Sequence, residues 1–191
     1  MAVSADNKAI AKTTAGIFGG SPRVIEYLNA DETSRIGILH SADRPEKGLT
    51  AYATIGLSDM SLDRDVDPPL GVEFLGVAES DYPYAEILST AAFFVLNDGW
   101  EPEPGACFRD VVRMQIPDTE LPHIYFTDPS VYWDQEFASR VVGEKTVAWL
   151  LAIPVSEAEA EYALENGAEA LETLFEENEI DVTDLERDSV L

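Results

Sequence analysis

The run TVAWLLAIPV, residues 146–155, limits the possible folds more than any other part of the chain, because it offers no alternating polar face. A half-solvated strand alternates; a continuous apolar run of this length is expected for a central strand covered on both faces. It ends at Ser156, which forms a Ser-x-x-Glu capping box with Glu159. The strand therefore passes straight into a helix, expected to end at Asn166-Gly167. A second helix carries Leu171, Leu174 and Phe175 at i, i+3 and i+4.

The rest of the chain supplies partners for that strand. A helix is expected from about Asp6 to Ile17, entered through Ser4 or Asp6 and stopped by Gly19-Gly20 and Pro22, with a short helical piece from Pro22 to Leu28. Strands are expected over 34–42, 49–57 and 71–80, and a helix over 82–99 with Tyr84, Ile87, Leu88, Ala91, Ala92 and Val95 on its apolar face. Phe93, Phe94 and Leu96 make that helix apolar almost all round near its end, which predicts cover on several sides. Two further strands are expected at Asp110–Gln115 and His123–Phe126. Strands and helices alternate without repeated βαβ units, which favours an α+β domain over a doubly wound one. The expectation is one domain over 1–191, with its core at about 5–180. Its centre would be a mixed, largely antiparallel sheet of about six strands flanked by helices, with acidic helices at 156–180 and a short tail.

The segment GLTAYATIGLSDMSL, residues 48–62, raises the question of a nucleophile. Leu49, Ala51, Ala53, Ile55 and Leu57 share one parity, and Thr50, Tyr52 and Thr54 the other, which predicts a core face and an outward polar face. A nucleophile elbow requires Gly-x-Ser-x-Gly, whereas Met60 follows Gly56-Leu57-Ser58-Asp59. The reading is a strand, with Gly56 at a bulge or a close backbone approach.

Charge narrows the functional classes. The chain of 191 residues holds 37 Asp and Glu against 12 Lys and Arg, a formal net charge of −25. Such a field repels nucleic acid phosphates and acidic membranes, so neither is expected as a partner. Residues 151–191 alone carry thirteen acidic side chains and one basic one, Arg187. This excess suits either an acidic face that captures a basic protein or a surface adapted to high salt, the latter matching only four lysines. Cys107 is the only cysteine, no apolar run reaches membrane-spanning length, and the N-terminus has no signal-peptide core, so a cytoplasmic location is expected.

Chemical constellations are sparse. Asp63, Asp65 and Asp67 open like a calcium loop, but Pro68 and Phe74 stand where such a loop needs Gly and Glu. One cysteine and the two histidines, His40 and His123, give no zinc spacing, and no glycine-rich phosphate cradle occurs, so no metal or cofactor is expected. Cys107 with His123 could form a thiolate–imidazole pair, against the simpler reading of a core cysteine and a sheet-end histidine. Trp100, Tyr132 and Trp133 lie in loop-like segments beside acidic residues, as interface anchors or as sheet-edge caps.

Five segments in order, GLTAYATIGLS, AEILSTAAFFVL, PGACFRDVV, HIYFTDP and KTVAWLLAIPVSEAEAEYALENGAEAL, together resemble the Suppressor of fused domain in its small bacterial form, across roughly residues 5–190. The resemblance implies a non-catalytic α+β domain that binds another protein, and among similar bacterial proteins a role in toxin immunity. The animal domain grips a peptide through a tyrosine after the long helix and an aspartate after a glycine. Phe94 and Ala106 stand at those positions here, so that grip is not carried over. The expected function is stoichiometric neutralisation of a cognate, basic protein toxin. Trp100, Asp128, Tyr132 and Trp133 are the candidate contacts, and Glu157, Glu161 and Glu165 the source of negative field. The alternatives are an enzyme built on His123 and a carboxylate, or a salt-adapted regulatory binder.

Overall fold

The computed structural model describes residues 4–62 and 65–191. Residues 146–155 do form the hub of the sheet. The elements are α1 (Ala5–Phe18), β1 (Arg23–Leu28), β2 (Arg35–Ala42), β3 (Leu49–Ile55), β4 (Leu70–Glu79), α2 (Tyr84–Asp98), β5 (Cys107–Phe108), β6 (His123–Thr127), α3 (Ser130–Trp133), β7 (Arg140–Val142), β8 (Lys145–Val155), α4 (Glu157–Asn166) and α5 (Ala168–Glu177). Among the described residues they make one 8-stranded mixed sheet in the order β1-β2-β3-β4-β8-β6-β5, with β7 paired to the start of β8. Every pairing is antiparallel except β4 with β8, where Val72 lies beside Ala148 and Phe74 beside Leu150.

Helices cover both faces. On one, α2 packs Tyr84, Ile87, Leu88 and Ala91 onto Ile38, Tyr52, Phe74 and Phe126. On the other, Ile10 and Phe18 of α1, Ala160 of α4 and Leu171 and Phe175 of α5 cover Leu39, Ala53, Leu75, Trp149 and Ile153. Sealing both faces explains a departure from expectation in β3: Thr50, Tyr52 and Thr54 are buried, not outward-facing. The polar parity of a strand faces water only when no helix covers it.

Two other expectations are corrected. The segment at Pro22–Leu28 is not helical: Arg23–Leu28 is the edge strand β1, paired with β2 from Arg23–His40 to Leu28–Arg35. Its β-branched Val24 and Ile25 suit a pleat, and Pro22 sits just ahead of it, where its missing donor costs no ladder bond. Asp110–Gln115 is not a strand but a tight turn, with Met114 N–H on the Asp110 carbonyl at 3.1 Å and Ile116 N–H on that of Val112 at 2.8 Å. Val111 and Val112 are buried as their apolar character demands, while the edge strand falls earlier, at Cys107–Phe108. Of the aspartates in the polar loop after β3, Asp63 lies outside the described residues. Phe93, Phe94 and Leu96 of α2 are only partly buried, so the end of that helix is open on one side.

The helix caps follow the sequence. The Ser4 hydroxyl accepts the Asn7 amide at 3.0 Å, and Ser156 and Glu159 make the reciprocal capping box. The seat of α2 is tighter still. The Tyr84 hydroxyl donates to the Ala152 carbonyl at 2.6 Å, and its ring lies across Gly76, where a Cβ would come within 2.1 Å of Cε1. Gly76→Ala is therefore expected to destabilise the protein by roughly 1–3 kcal/mol, as overpacking of a closed core does. Urea denaturation measures it, and an unchanged midpoint would show that the tyrosine has room to move.

Candidate functional site

The chemistry-bearing side chains are engaged in structure. His123, on β6, is buried, and its Nδ1 accepts the Asp110 amide at 2.8 Å. A neutral ring so held carries its proton on Nε2, which donates to Glu157 Oε2 at 2.9 Å. Arg109 clamps the other oxygen of Glu157. The His123 hydrogen bond and the nearby guanidinium hold the Glu157 carboxyl below the usual carboxylate range. Both ring nitrogens are spoken for, so none is left to activate Cys107, whose thiol burial pushes up to about 11. The pairing of Cys107 with His123 is therefore not assembled as a nucleophile and base.

Glu73 is the second buried acid. Its Oε1 receives the Gly56 amide at 2.9 Å, the Ser58 amide at 3.2 Å and the Ser58 hydroxyl at 2.7 Å. Its Oε2 receives the Thr54 hydroxyl at 2.6 Å and the Leu57 amide at 3.2 Å. Burial pushes its pKa up, against the pull of those donors. The GLSD segment thus becomes a single 3-10 turn wrapped on a carboxylate, entered through Gly56 at φ 103°. Ser58 is buried and donates to Glu73, and Lys145 Nζ donates to it at 2.8 Å. Gly56 marks neither a bulge nor a close backbone approach: it follows the end of β3 in a left-handed conformation, with the Asn7 side chain as its nearest neighbour. A serine nucleophile does not fit this packing. Among the described residues no three His, Cys, Asp or Glu side chains converge with metal-ligand geometry.

What remains outward is an acidic surface, on which Glu157 is already held by His123 and Arg109. Glu157, Glu161 and Glu165 recur every fourth residue and form one exposed stripe along α4. Leu164 beside them is 82% exposed. α5 adds the exposed Glu169, Glu176 and Glu177. Arg187, the one cation after residue 150, is buried, with its guanidinium bound to both oxygens of Glu159 at 2.8 and 2.9 Å, so it does not offset the outward charge.

The aromatic candidates separate. Trp100 stacks on Phe94 at 4.4 Å and meets Phe108 edge-on at 4.5 Å, against the core layer under α2. Tyr132 and Trp133 form α3 rather than a loop and pack on the opposite layer, with Trp133 5.3 Å from Phe137 and 5.5 Å from Phe18. Asp128 fixes the entry to α3 by accepting the Ser130 amide at 2.8 Å. The structure thus gathers Asp128, Tyr132 and Trp133 at the β6–α3 corner, while Trp100 lies on the far side of the sheet and Glu157 at the His123 end.

Sequence reasoning missed a cleft beside that corner, between β6 and α5, where Tyr125, Thr127, Glu172 and Phe175 meet. The signal available was Thr127, a polar side chain on the buried parity of a strand, with Glu172 set between apolar helix positions. Among the described residues no helix is long and apolar enough to cross a membrane.

Comparison with known proteins agrees with this architecture. A family model described as Suppressor of fused protein (SUFU) matches residues 32–188. Immunity protein YqcF of Bacillus subtilis (strain 168) is 38% identical over 193 residues, covering all of both chains. The crystal structure of a SUFU homologue from Neisseria gonorrhoeae FA 1090 superposes with a TM-score of 0.74 at 18% identity, covering 97% of this chain and 96% of that one. Drosophila Suppressor of Fused superposes at 0.67 with 14% identity, covering 96% of this chain and 50% of its own.

Proposed function

Because the chain belongs to the Suppressor of fused family, we propose that it is a cytoplasmic immunity protein that neutralises a protein toxin by stoichiometric binding and has no catalytic step of its own. The observation that carries this reading is the full-length likeness to a relative named an immunity protein. The site chemistry supports it: the histidine, cysteine and buried carboxylates are locked into the fold, and an unbalanced acidic face is left outward.

The mechanism follows from charge and shape. A surface of one sign steers an oppositely charged partner into encounter and penalises wrong partners. Glu161 and Glu165 supply the field along α4, the charge of Glu157 being offset by Arg109, and Asp128, Tyr132 and Trp133 contribute contacts at the β6–α3 corner, with Trp100 outside that patch. The partner is accordingly a basic protein whose working surface is covered in the complex.

Co-expression with candidate neighbouring toxins tests this reading. Protection from toxicity and a one-to-one complex are expected. Glu161→Lys with Glu165→Lys should slow association about tenfold or more at low salt, since rim charges act on the on-rate. Failure to bind any basic toxin at low ionic strength would reject the electrostatic mechanism.

A further inference from the structure

We infer that the cleft between β6 and α5 is the anchor for one arginine side chain of the protein partner. This rests on the reading that the partner is a basic protein. The cleft has a volume of about 280 Å³. That is just below the roughly 300–1,000 Å³ of small-molecule sites and suits a single long side chain better.

Its walls have two characters. Ile153, Phe175, Ile180 and Val182 make an apolar lining, and Glu172, Glu176 and Glu179 bring carboxylates to the same space with no cation among the lining residues. The carboxylate of Glu172 is oriented from within the fold: its Oε1 accepts the Tyr125 hydroxyl at 3.0 Å and the Thr127 hydroxyl at 2.7 Å. Both donors bind Oε1, so the acceptor capacity of Oε2 is not used by these two hydroxyls. A held acid beside an apolar wall fits a side chain with a hydrocarbon stem and a cationic head. A guanidinium fits better than an ammonium, being planar, more weakly hydrated and able to give two parallel hydrogen bonds to a carboxylate. The cleft adjoins Asp128 and Tyr132 through Val131, which is 58% exposed at its rim, so the anchor would extend the proposed contact corner.

The test uses the full chain and small probes, with no toxin. Butylguanidinium, guanidinium, butylamine and butanol are titrated separately while backbone amide shifts are followed. Butylguanidinium is expected to give saturable shifts confined to Thr127, Ile153 and residues 172–182, and to bind more tightly than the other three. Glu172→Gln with Glu176→Gln should weaken it about tenfold or more, as loss of charge-assisted hydrogen bonds does. Circular dichroism shows whether that variant is folded, and Glu179→Gln, at the exposed end, offers a milder second variant. Equal binding of butanol would make the cleft merely apolar. Non-saturating shifts spread along α4 and α5 would reduce it to general acidity. Either result overturns the inference while leaving toxin protection to be judged by co-expression, and failed protection would not alter the probe result.

Discussion

Replacing Arg187 with methionine should cost roughly 3–5 kcal/mol of stability, the penalty for leaving a buried carboxylate without its partner. Glu159 is fully buried, and its oxygens bind the guanidinium of Arg187, the Ser156 amide at 2.9 Å and the Val190 amide at 3.0 Å. Arg187 also donates to the Pro154 carbonyl at 3.0 Å and lies over the Phe175 ring. One ion pair therefore ties the end of β8, the start of α4 and the C-terminal tail together. Adding Glu159→Gln to Arg187→Met should recover much of the loss, because glutamine keeps the capping box and removes the stranded charge. Equal destabilisation in single and double variants, measured by urea denaturation, would show that the charge is not what matters.

The same pair sets a pH dependence. Burial alone raises the Glu159 pKa, but Arg187 and the Ser156 and Val190 amides together hold it below the usual carboxylate range. A depressed folded pKa contributes stability that is present above the unfolded value, about 4.3, and is lost as pH falls through the folded one. Wild type should therefore lose more stability than Arg187→Met as pH falls below about 4. Parallel stability curves for the two proteins would contradict this.

The second large effect is expected at Glu73. Glu73→Leu removes the acceptor for three amides and two hydroxyls at once, and each donor left buried and unpaired costs about 1–3 kcal/mol. The sum, more than about 4 kcal/mol, should unfold much of the population. Glu73→Gln keeps one acceptor oxygen and should cost about 1–3 kcal/mol. Amide hydrogen exchange gives a local readout: Leu57 and Ser58 should lose protection first in the glutamine variant. Retained protection there would mean that the turn is held by something other than the acid.

Glu73 also shows where sequence reading stops. The long strands, the helix at 84–98, the capping box and the α+β class were all legible, because burial of regular elements imprints a period on the chain. Glu73 carries no such imprint. A lone acid in GVEFLGV looks like an outward-facing strand position, and only the return of the 56–58 turn to its side makes it a buried acceptor. For the same reason β5, with two residues, and β7, with three, escaped notice: short strands depend on their neighbours rather than on their own pattern. Pro22–Leu28 was misread because its edge position leaves little burial contrast. Of the site, the acidic stripe on α4 was readable from spacing, whereas the cleft beside α5 exists only through pairing of elements distant in the chain.

The lone parallel pairing in the sheet divides the molecule into two halves with different histories. Strands β1 to β4 meander locally and can zip as they are synthesised, whereas the short β5–β6 pair and β7 join the sheet only through β8. Joining Leu70 to Thr146 closes a long loop, whose entropy must be met before the contacts it gains. Completion of the sheet thus waits for the last quarter of the chain: until β8 arrives the first half carries a bare hydrophobic strand at its rim, and the acidic helices α4 and α5 follow directly behind the strand that covers it.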